Sequence, residues 1–314
     1  MKRLWALLPI VIVLIMATQY QAIIDWYNLQ TFQPSAQVQA IAEQTTMTPE
    51  GKRYFYLARP QLDNKTTFNQ HCPTGELTQV LGCYNRNRIY ILDVDKAELE
   101  KVEDVTGAHE MLHAAYDRLT AGEKSKVDEE LESYYATVID PKLRELIAQY
   151  DRAEPGERLN ELHSILPTQV ETLSPTLEEY YKRYFTNRQA IVASYKQYEG
   201  VFDSLQSRYD TLKNEIDSLK KEIDVAKAEY EDAAAEADRL TAQITSLRNR
   251  GKSAESNQLV PAQNAAVNKV NALANEIKVM VNTYNADVDE VNRLALEQNE
   301  LVQSLNSSQL APAR

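Results

Sequence analysis

Glycine and histidine are both scarce in this chain of 314 residues, which has 8 glycines and 4 histidines. The shortage of glycine favours helix over turn-rich β structure, because glycine weakens helix interiors. Basic residues are also outnumbered, since 34 Lys and Arg face 46 Asp and Glu, for a net charge of −12. Without a basic stripe that could displace counterions from phosphates, no nucleic-acid partner is expected.

Cysteine is almost absent, and the two cysteines that occur are Cys72 and Cys83. An even pair of cysteines predicts a disulfide in an exported chain, and the N-terminal segment described next predicts export. A pair of metal-binding thiolates is the alternative, but the spacing differs from the C-x2–4-C pattern of zinc sites. A disulfide that closes so short a loop would stabilise the fold by roughly 2–3 kcal/mol.

Only the N-terminus carries a long apolar run, residues 4–17, and it follows two basic residues. Together with the weaker stretch 18–24 it reaches about twenty residues, enough to span a bilayer. Trp26 and Tyr27 would then lie in an interfacial aromatic belt. No small-residue cleavage site follows the run. We therefore predict a transmembrane signal anchor over residues 1–27, with a cleaved signal as the alternative, and an extracytoplasmic location at the cell membrane for the rest.

Two of the four histidines form an H-E-x-x-H motif, His109 to His113. Residues four apart on a helix share one face, so both imidazoles can be directed at a single metal ion. Zn²⁺ is the ion that this pair suits, and Glu110 lies within reach of the attacking water as a general base. Small residues flank the motif, which allows its helix to be buried.

A third zinc ligand must come from a later segment, because Tyr116 and Leu119 replace the Gly and His of the longer H-E-x-x-H-x-x-G-x-x-H pattern. Two neighbours on a short helix compete for this place, Glu161 and His163. Asn160-Glu161-x-x-Ser164 resembles the N-E-x-x-S element of gluzincins, in which the glutamate binds zinc, so the resemblance implies Glu161. Less suited ligands are Glu157, Glu171 and Asp117.

Residues 54–191 also resemble an uncharacterised group of bacterial membrane-anchored zincin-like proteins. The resemblance implies a metallopeptidase-like domain, and its Cys pair frames a hairpin. The segments that carry it are Phe55-Tyr56, Leu81-Gly82-Cys83-Tyr84, Val105 to Ala114, Glu161-Leu162-His163-Ser164, Leu177 to Tyr181 and Asn187-Arg188.

The fold class we predict is mainly helical α+β, with a zincin-like domain over residues 28–198 and a small antiparallel sheet. Residues 52–58 have the alternation of a strand. Residues 79–84 and 88–94 are rich in β-branched and aromatic residues, so they predict a hairpin whose turn, 85–87, contains asparagines that tolerate positive φ. In a zincin fold the edge strand can pair with an extended substrate.

Hydrolysis also needs a donor that holds the developing oxyanion. His163 and Tyr181 are the candidate transition-state stabilisers, Tyr181 being one of several aromatic residues between 180 and 185. The alternative is packing, because aromatic side chains at helical spacing usually fill a core.

After residue 198 the sequence predicts a long antiparallel coiled-coil hairpin over residues 199–308, with a turn near 250–258. The first arm repeats apolar residues in alternating steps of three and four from Phe202 to Leu247, which is the pattern of a coiled coil. In the second arm the predicted seam is Val267, Val270, Ala274, Ile277, Val281, Tyr284, Val288, Val291, Ala295, Val302 and Leu305.

Two functions are compatible with these features. The first is a membrane-anchored, extracytoplasmic zinc metalloprotease acting on a peptide or protein substrate. The second is a scaffold or adaptor of the bacterial envelope, in which the hairpin binds a protein partner and the zinc site is structural or inactive. An intact Glu110 favours the protease, since a structural site has no use for a base there.

Overall fold

The computed structural model describes residues 8–72, 80–153 and 155–306, with the backbone alone for residues 8–19. The helices α1 to α11 are, in chain order, Leu8–Thr31, Ala36–Gln44, Pro49–Leu57, Lys65–His71, Val102–Asp117, Ala121–Thr137, Pro141–Ala153, Arg158–Gln169, Pro175–Tyr181, Gln189–Asn249 and Ser253–Leu305. The strands β1 to β3 are Gln61–Asp63, Gly82–Asn85 and Arg88–Leu92. The predicted mainly helical class with a small sheet is confirmed.

The sheet has the order β1-β3-β2 and is mixed, so the prediction of an antiparallel sheet was wrong in part. Strand β1 pairs with β3 in parallel, and β2 pairs with β3 antiparallel. The predicted hairpin is confirmed as β2 and β3. Its turn is the pair Arg86 and Asn87, both with positive φ (51° and 60°), the backbone that a two-residue hairpin turn requires. Residue 79 of the predicted first arm lies outside the described residues.

The strand predicted over residues 52–58 is wrong, because residues 52–57 belong to helix α3 and Ala58 is its C-cap. The Thr48 hydroxyl caps its first turn by accepting from the Gly51 N–H, and Pro49 occupies the first helical position. Its buried side chains include Tyr54, Phe55 and Leu57, a helical spacing that the alternation of aromatic and other residues concealed.

Helix α5, which contains the H-E-x-x-H motif, runs through the core and packs against α2, α3, α8, β2 and β3. Its close approach to α2 depends on Gly107, because a Cβ atom there would lie 2.5 Å from Cγ2 of Ile41. Met111 and Leu112 are fully buried on the same helix. The motif therefore lies on the most enclosed helix of its unit.

The chain divides into two compact units: residues up to Val201 together with those from Glu300, and the segment Phe202–Asn299. The second unit is a hairpin formed by α10 and α11, which confirms the predicted long helical hairpin. Arg208 contacts Glu290 at 2.7 Å and Thr241 contacts Gln263 at 3.0 Å, so the two helices run antiparallel.

In the first arm the predicted seam is buried or half-buried throughout, with Leu205, Ile223 and Leu240 among its buried residues. In the second arm the buried residues are displaced by one position from the predicted seam at several places. Leu273, Leu294 and Leu301 are buried there, whereas the predicted Ala274, Ala295 and Val302 are exposed. Both series repeat every seven residues, and the leucine series is the buried one because its side chains have the larger apolar area.

None of the helices in the described ranges is both long and apolar enough to cross a membrane. Residues 1–7 of the predicted anchor lie outside those ranges.

Candidate metal centre

Helix α5 brings the two motif histidines together, with His113 Nε2 2.9 Å from His109 Nε2. Their one-turn spacing places both rings on the same face, as predicted. Glu110 lies between them in the sequence and is only 4 % exposed. Glu110 and both histidines line the same cavity.

Helix α8 supplies the third member of the cluster. Glu161 Oε1 lies 3.5 Å from His113 Nε2, and its Oε2 lies 3.7 Å from His109 Nε2. The ligand atoms of these three residues all lie within 4.8 Å of one another, so the cluster can hold a metal ion. Ser164, one turn further along α8, has its hydroxyl 3.3 Å and 3.4 Å from the same two nitrogens.

Asn160 orients one of the histidines, since its Oδ1 lies 2.8 Å from His113 Nδ1. A ring N–H donated to this oxygen leaves the lone pair of Nε2 directed at the cluster. Burial, reinforced by the neighbouring His113 and His163, lowers the pKa of His109 well below its usual value. Both effects favour the neutral imidazole, which is the form that binds metals.

Arg188 holds the end of α8. Its guanidinium is 6 % exposed and donates to the carbonyls of Pro167, Val170 and Glu171 at 3.0, 2.6 and 2.9 Å. The Glu178 carboxylate accepts from its other side, with Arg188 Nε at 3.1 Å. A buried, paired arginine of this kind fixes a helix terminus, and here it fixes the helix that carries Glu161.

A cavity of about 460 Å³ opens beside the cluster and is lined by His109, Glu110, His113 and Glu161. Strand β2, at one edge of the sheet, forms another wall. The strand reaches the cavity because of Gly82, where a Cβ atom would lie 2.5 Å from Thr106 Cγ2 and 2.8 Å from Glu110 Oε1. The volume lies within the range of sites that bind small molecules or peptide side chains.

The predicted disulfide between Cys72 and Cys83 is confirmed. It joins the end of α4 to β2, and both of its residues line the cavity. Asn85 adds a second tie, since its Nδ2 donates to the His71 carbonyl at 2.7 Å. The β2 wall, which lies beside Glu110, is thus cross-linked to the neighbouring helix α4.

The two candidate transition-state stabilisers are placed in the core instead of the cavity wall. His163 is fully buried and its Nε2 contacts the Tyr180 hydroxyl at 2.9 Å. Burial, then the charge of His113, lowers its pKa to about 3. Tyr181 is 1 % exposed and donates its hydroxyl to the His163 carbonyl at 2.9 Å. The packing alternative therefore describes both side chains, and Glu161, not His163, joins the histidine pair.

The three less suited candidates for the third zinc ligand lie at separate places and do not join the cluster. Glu157 lines the cavity and accepts from Asn160 Nδ2 at 3.1 Å. Glu171 is at the surface beside Lys196, at 2.5 Å, and Asp117 faces the Tyr84 hydroxyl at 3.5 Å.

Sequence reasoning missed two phenols of the cavity wall, Tyr150 on α7 and Tyr198 on α10. Neither belongs to a motif, and only the fold brings them near residues 109–113. Gly82 and Asn160 lie within segments that the sequence singles out, but the sequence alone predicts no role for either residue. The signal for Gly82 was a lone glycine in a hairpin arm of a glycine-poor chain.

Compared with known proteins, the chain matches no protein-family model, no curated protein and no solved structure.

Proposed function

We propose that this protein is a zinc metallopeptidase, anchored in a bacterial cell membrane with its metal centre on the extracytoplasmic side. The observation that carries the proposal is the meeting of Glu161 with His109 and His113, beside the buried Glu110 and an open cavity. A purely structural zinc site is usually closed by four protein ligands, whereas three ligands next to a cavity are typical of a catalytic one.

The donor set fits zinc. Two imidazole nitrogens and one carboxylate are ligands that zinc commonly takes, and bonds of about 2.0–2.1 Å imply separations of roughly 3.3 Å between tetrahedral ligands. The separations here, 2.9 Å between the histidines and 3.5 and 3.7 Å to Glu161, lie around that value. A zinc ion held by these three residues would supply Lewis acidity, polarising the scissile carbonyl and lowering the pKa of the attacking water.

The chain's own residues supply the proton transfers and the substrate wall. Glu110 takes the proton of the attacking water and passes it to the departing amine, as a buried carboxylate beside the ligands is placed to do. Strand β2 lies at a sheet edge and lines the cavity, so an extended peptide can align along it. Tyr150 and Tyr198 also line the cavity, and the phenol of either residue can donate a hydrogen bond to the oxyanion.

The location is proposed from the apolar N-terminal run and from the disulfide, which persists in oxidising compartments. The helical hairpin is proposed to dock a protein partner or to act as a spacer.

The test is zinc content together with peptide hydrolysis, measured for the wild type, for Glu110→Gln and for the control Glu129→Gln. Glu129 is an exposed carboxylate on α6. We expect about one zinc per chain in all three proteins and a loss of roughly 10³-fold in kcat/KM for Glu110→Gln alone. Full zinc occupancy without hydrolysis of any member of a broad peptide library would refute the protease and favour the envelope scaffold.

A further inference from the structure

The C-terminal half of α1 exposes a set of large apolar and aromatic side chains. Tyr20, Ile23, Trp26 and Tyr27 are 65, 51, 63 and 60 % exposed. At about 100° per residue, these four positions lie within roughly 120° of the helix circumference. They therefore form one continuous face, which we call the aromatic face.

The opposite side of the same helix buries a carboxylate. Asp25 is 4 % exposed, and both of its oxygens accept from Arg118 Nη1, at 2.9 and 3.1 Å. Arg53 Nη2 adds a contact at 3.2 Å, and Gln21 Nε2 another at 2.9 Å. Because Arg118 follows the last residue of α5, these contacts join α1 to the helix that carries the metal ligands. We call this group the Asp25 clamp.

This arrangement is the reverse of a helix that faces water, which would bury its aromatic residues and expose its aspartate. Tyr and Trp are the side chains typical of the lipid headgroup region. Four side chains spread over about 11 Å of helix are too few for the roughly 800 Å² per partner of a stable dimer. The helix also continues without interruption to Leu8 through the apolar residues 8–17. Lipid is the occupant that these observations favour.

We propose that the aromatic face rests in the lipid headgroups and that the Asp25 clamp holds the metal centre just above the bilayer. The substrates it fits are then the juxtamembrane segments of other membrane-bound proteins. The lipid contact rests on the membrane location proposed above and is independent of hydrolysis, whereas the substrate class rests on the proposed function.

The distances along the chain support a position of the metal centre close to the bilayer surface. A helix rises about 1.5 Å per residue, so the five-residue step from Arg118 to His113 moves about 8 Å along the axis of α5. Trp26 is the immediate neighbour of Asp25 in the sequence. Since an extended chain covers about 3.3 Å per residue, a cleavage site within roughly ten residues of the bilayer can reach the metal centre.

The lipid contact is tested in the full chain carrying Trp5→Phe, which leaves Trp26 as the sole tryptophan. The protein is reconstituted in phosphatidylcholine vesicles containing lipids brominated near the headgroup or near the end of the acyl chain. We expect the Trp26 emission to be quenched about twofold or more by the first lipid and less by the second. The companion variant Trp26→Phe reports on Trp5 and checks that the protein is in the vesicles. Absence of quenching at Trp26 overturns the proposal. A dimer in which a second copy of the chain covers Trp26 and keeps lipid away from it overturns the proposal as well.

The position of the metal centre is tested with two membrane-spanning peptides that carry one sequence cleaved in solution. The sequence is placed about 5 or about 30 residues from the bilayer. We expect the near site to be cut at least about tenfold faster, because the clamp raises its effective concentration. Asp25→Ala should reduce this preference to less than about threefold without changing cleavage of the soluble peptide, whereas the exposed control Glu98→Gln should retain it.

Equal cleavage of both peptides by the wild type would overturn the proposed position of the centre even if the protease is real. If no peptide is hydrolysed at all, the proposed function and the substrate class both fail, while quenching of Trp26 still decides whether α1 lies on lipid.

Discussion

The metal-binding unit and the helical hairpin are both mostly helical, but different kinds of contact stabilise them. In the metal-binding unit the decisive contacts join residues far apart in sequence, such as His113 with Asn160 or Arg183 with Glu50. In the hairpin, a seven-residue repeat brings the same kinds of apolar side chain together again and again. The hairpin is therefore built from a repeated local pattern, and the metal-binding unit from individual contacts between distant segments.

This difference explains where chemistry can arise. One helix turn can supply two ligands, as His109 and His113 do, but a third ligand has to approach from another direction. Glu161 arrives from α8, which Arg188 fixes at its end. A repeating hairpin offers no such convergence, and its described residues contain no comparable ligand cluster.

The largest effect is expected from removing the ligand that only the fold brings to the site. Glu161→Ala should weaken zinc binding by about 10³-fold, or roughly 4 kcal/mol, because two histidines alone leave the metal shell incomplete. His163→Ala should bind zinc as the wild type does but lose about 2–3 kcal/mol of unfolding free energy, since its ring fills the core. Competition with a chelating dye and urea unfolding measure the two quantities.

If instead His163→Ala lost zinc and Glu161→Ala kept it, the assignment of the third ligand would be wrong. The matched pair separates metal binding from folding, since both side chains are buried on the same helix.

The features that the sequence predicts are those that depend on local patterns, and the features that it misses depend on contacts between residues far apart in the chain. The motif histidines and the two long helices depend on local spacing, and the disulfide follows from a single pair of cysteines in a chain expected to be exported, so the sequence predicts all of them. The parallel pairing of β1 with β3 and the cavity residues Tyr150 and Tyr198 depend on contacts over long sequence separations, which no local pattern reports. Residues 52–58 were mistaken for a strand because alternation and helical spacing overlap in so short a segment.

The next effect tests the local rule within the hairpin. Leu294→Asp should cost about 3 kcal/mol of hairpin stability, because it places a charge between the two helices. Ala295→Asp, at the adjacent exposed position, should change stability by no more than about 0.5 kcal/mol. Thermal unfolding followed by circular dichroism distinguishes them. If the two variants lost equal stability, or if Ala295→Asp lost more, the seam predicted from the sequence, which contains Ala295, would be the correct one.

A smaller effect is expected from the one covalent link. Replacing Cys72 and Cys83 together by serine should cost roughly 2–3 kcal/mol, since the bond restricts the unfolded chain. Because the link also secures β2 beside Glu110, KM for peptides should rise while zinc content stays constant. The measurements are urea unfolding and steady-state kinetics. Unchanged stability would show that Asn85 and the strand pairing suffice to hold this wall.

The smallest effect concerns a carboxyl at the start of α5. Glu103 Oε1 accepts from the Val94 N–H at 3.1 Å, and burial raises the pKa of Glu103 to about 7 from its usual 4.5. The folded state therefore binds more protons than the unfolded state between these two values. Stability must fall as the pH rises through this window, which is the opposite of a carboxylate stabilised by an ion pair. The neighbouring Asp104, whose pKa burial raises to about 6, acts in the same direction.

Glu103→Gln removes the ionisation and keeps an acceptor for Val94. We expect it to flatten the decline of unfolding free energy between pH 5 and pH 8 by about 1 kcal/mol, after discounting for solvent screening of this half-buried group. The residual slope belongs to Asp104, and the exposed Glu129→Gln should leave the whole profile unchanged. A steeper decline in Glu103→Gln would mean that the charged carboxylate stabilises the start of the motif helix through its dipole. In that case the metal-binding unit would rely on a local helix rule here too, and the contrast with the hairpin would be weaker.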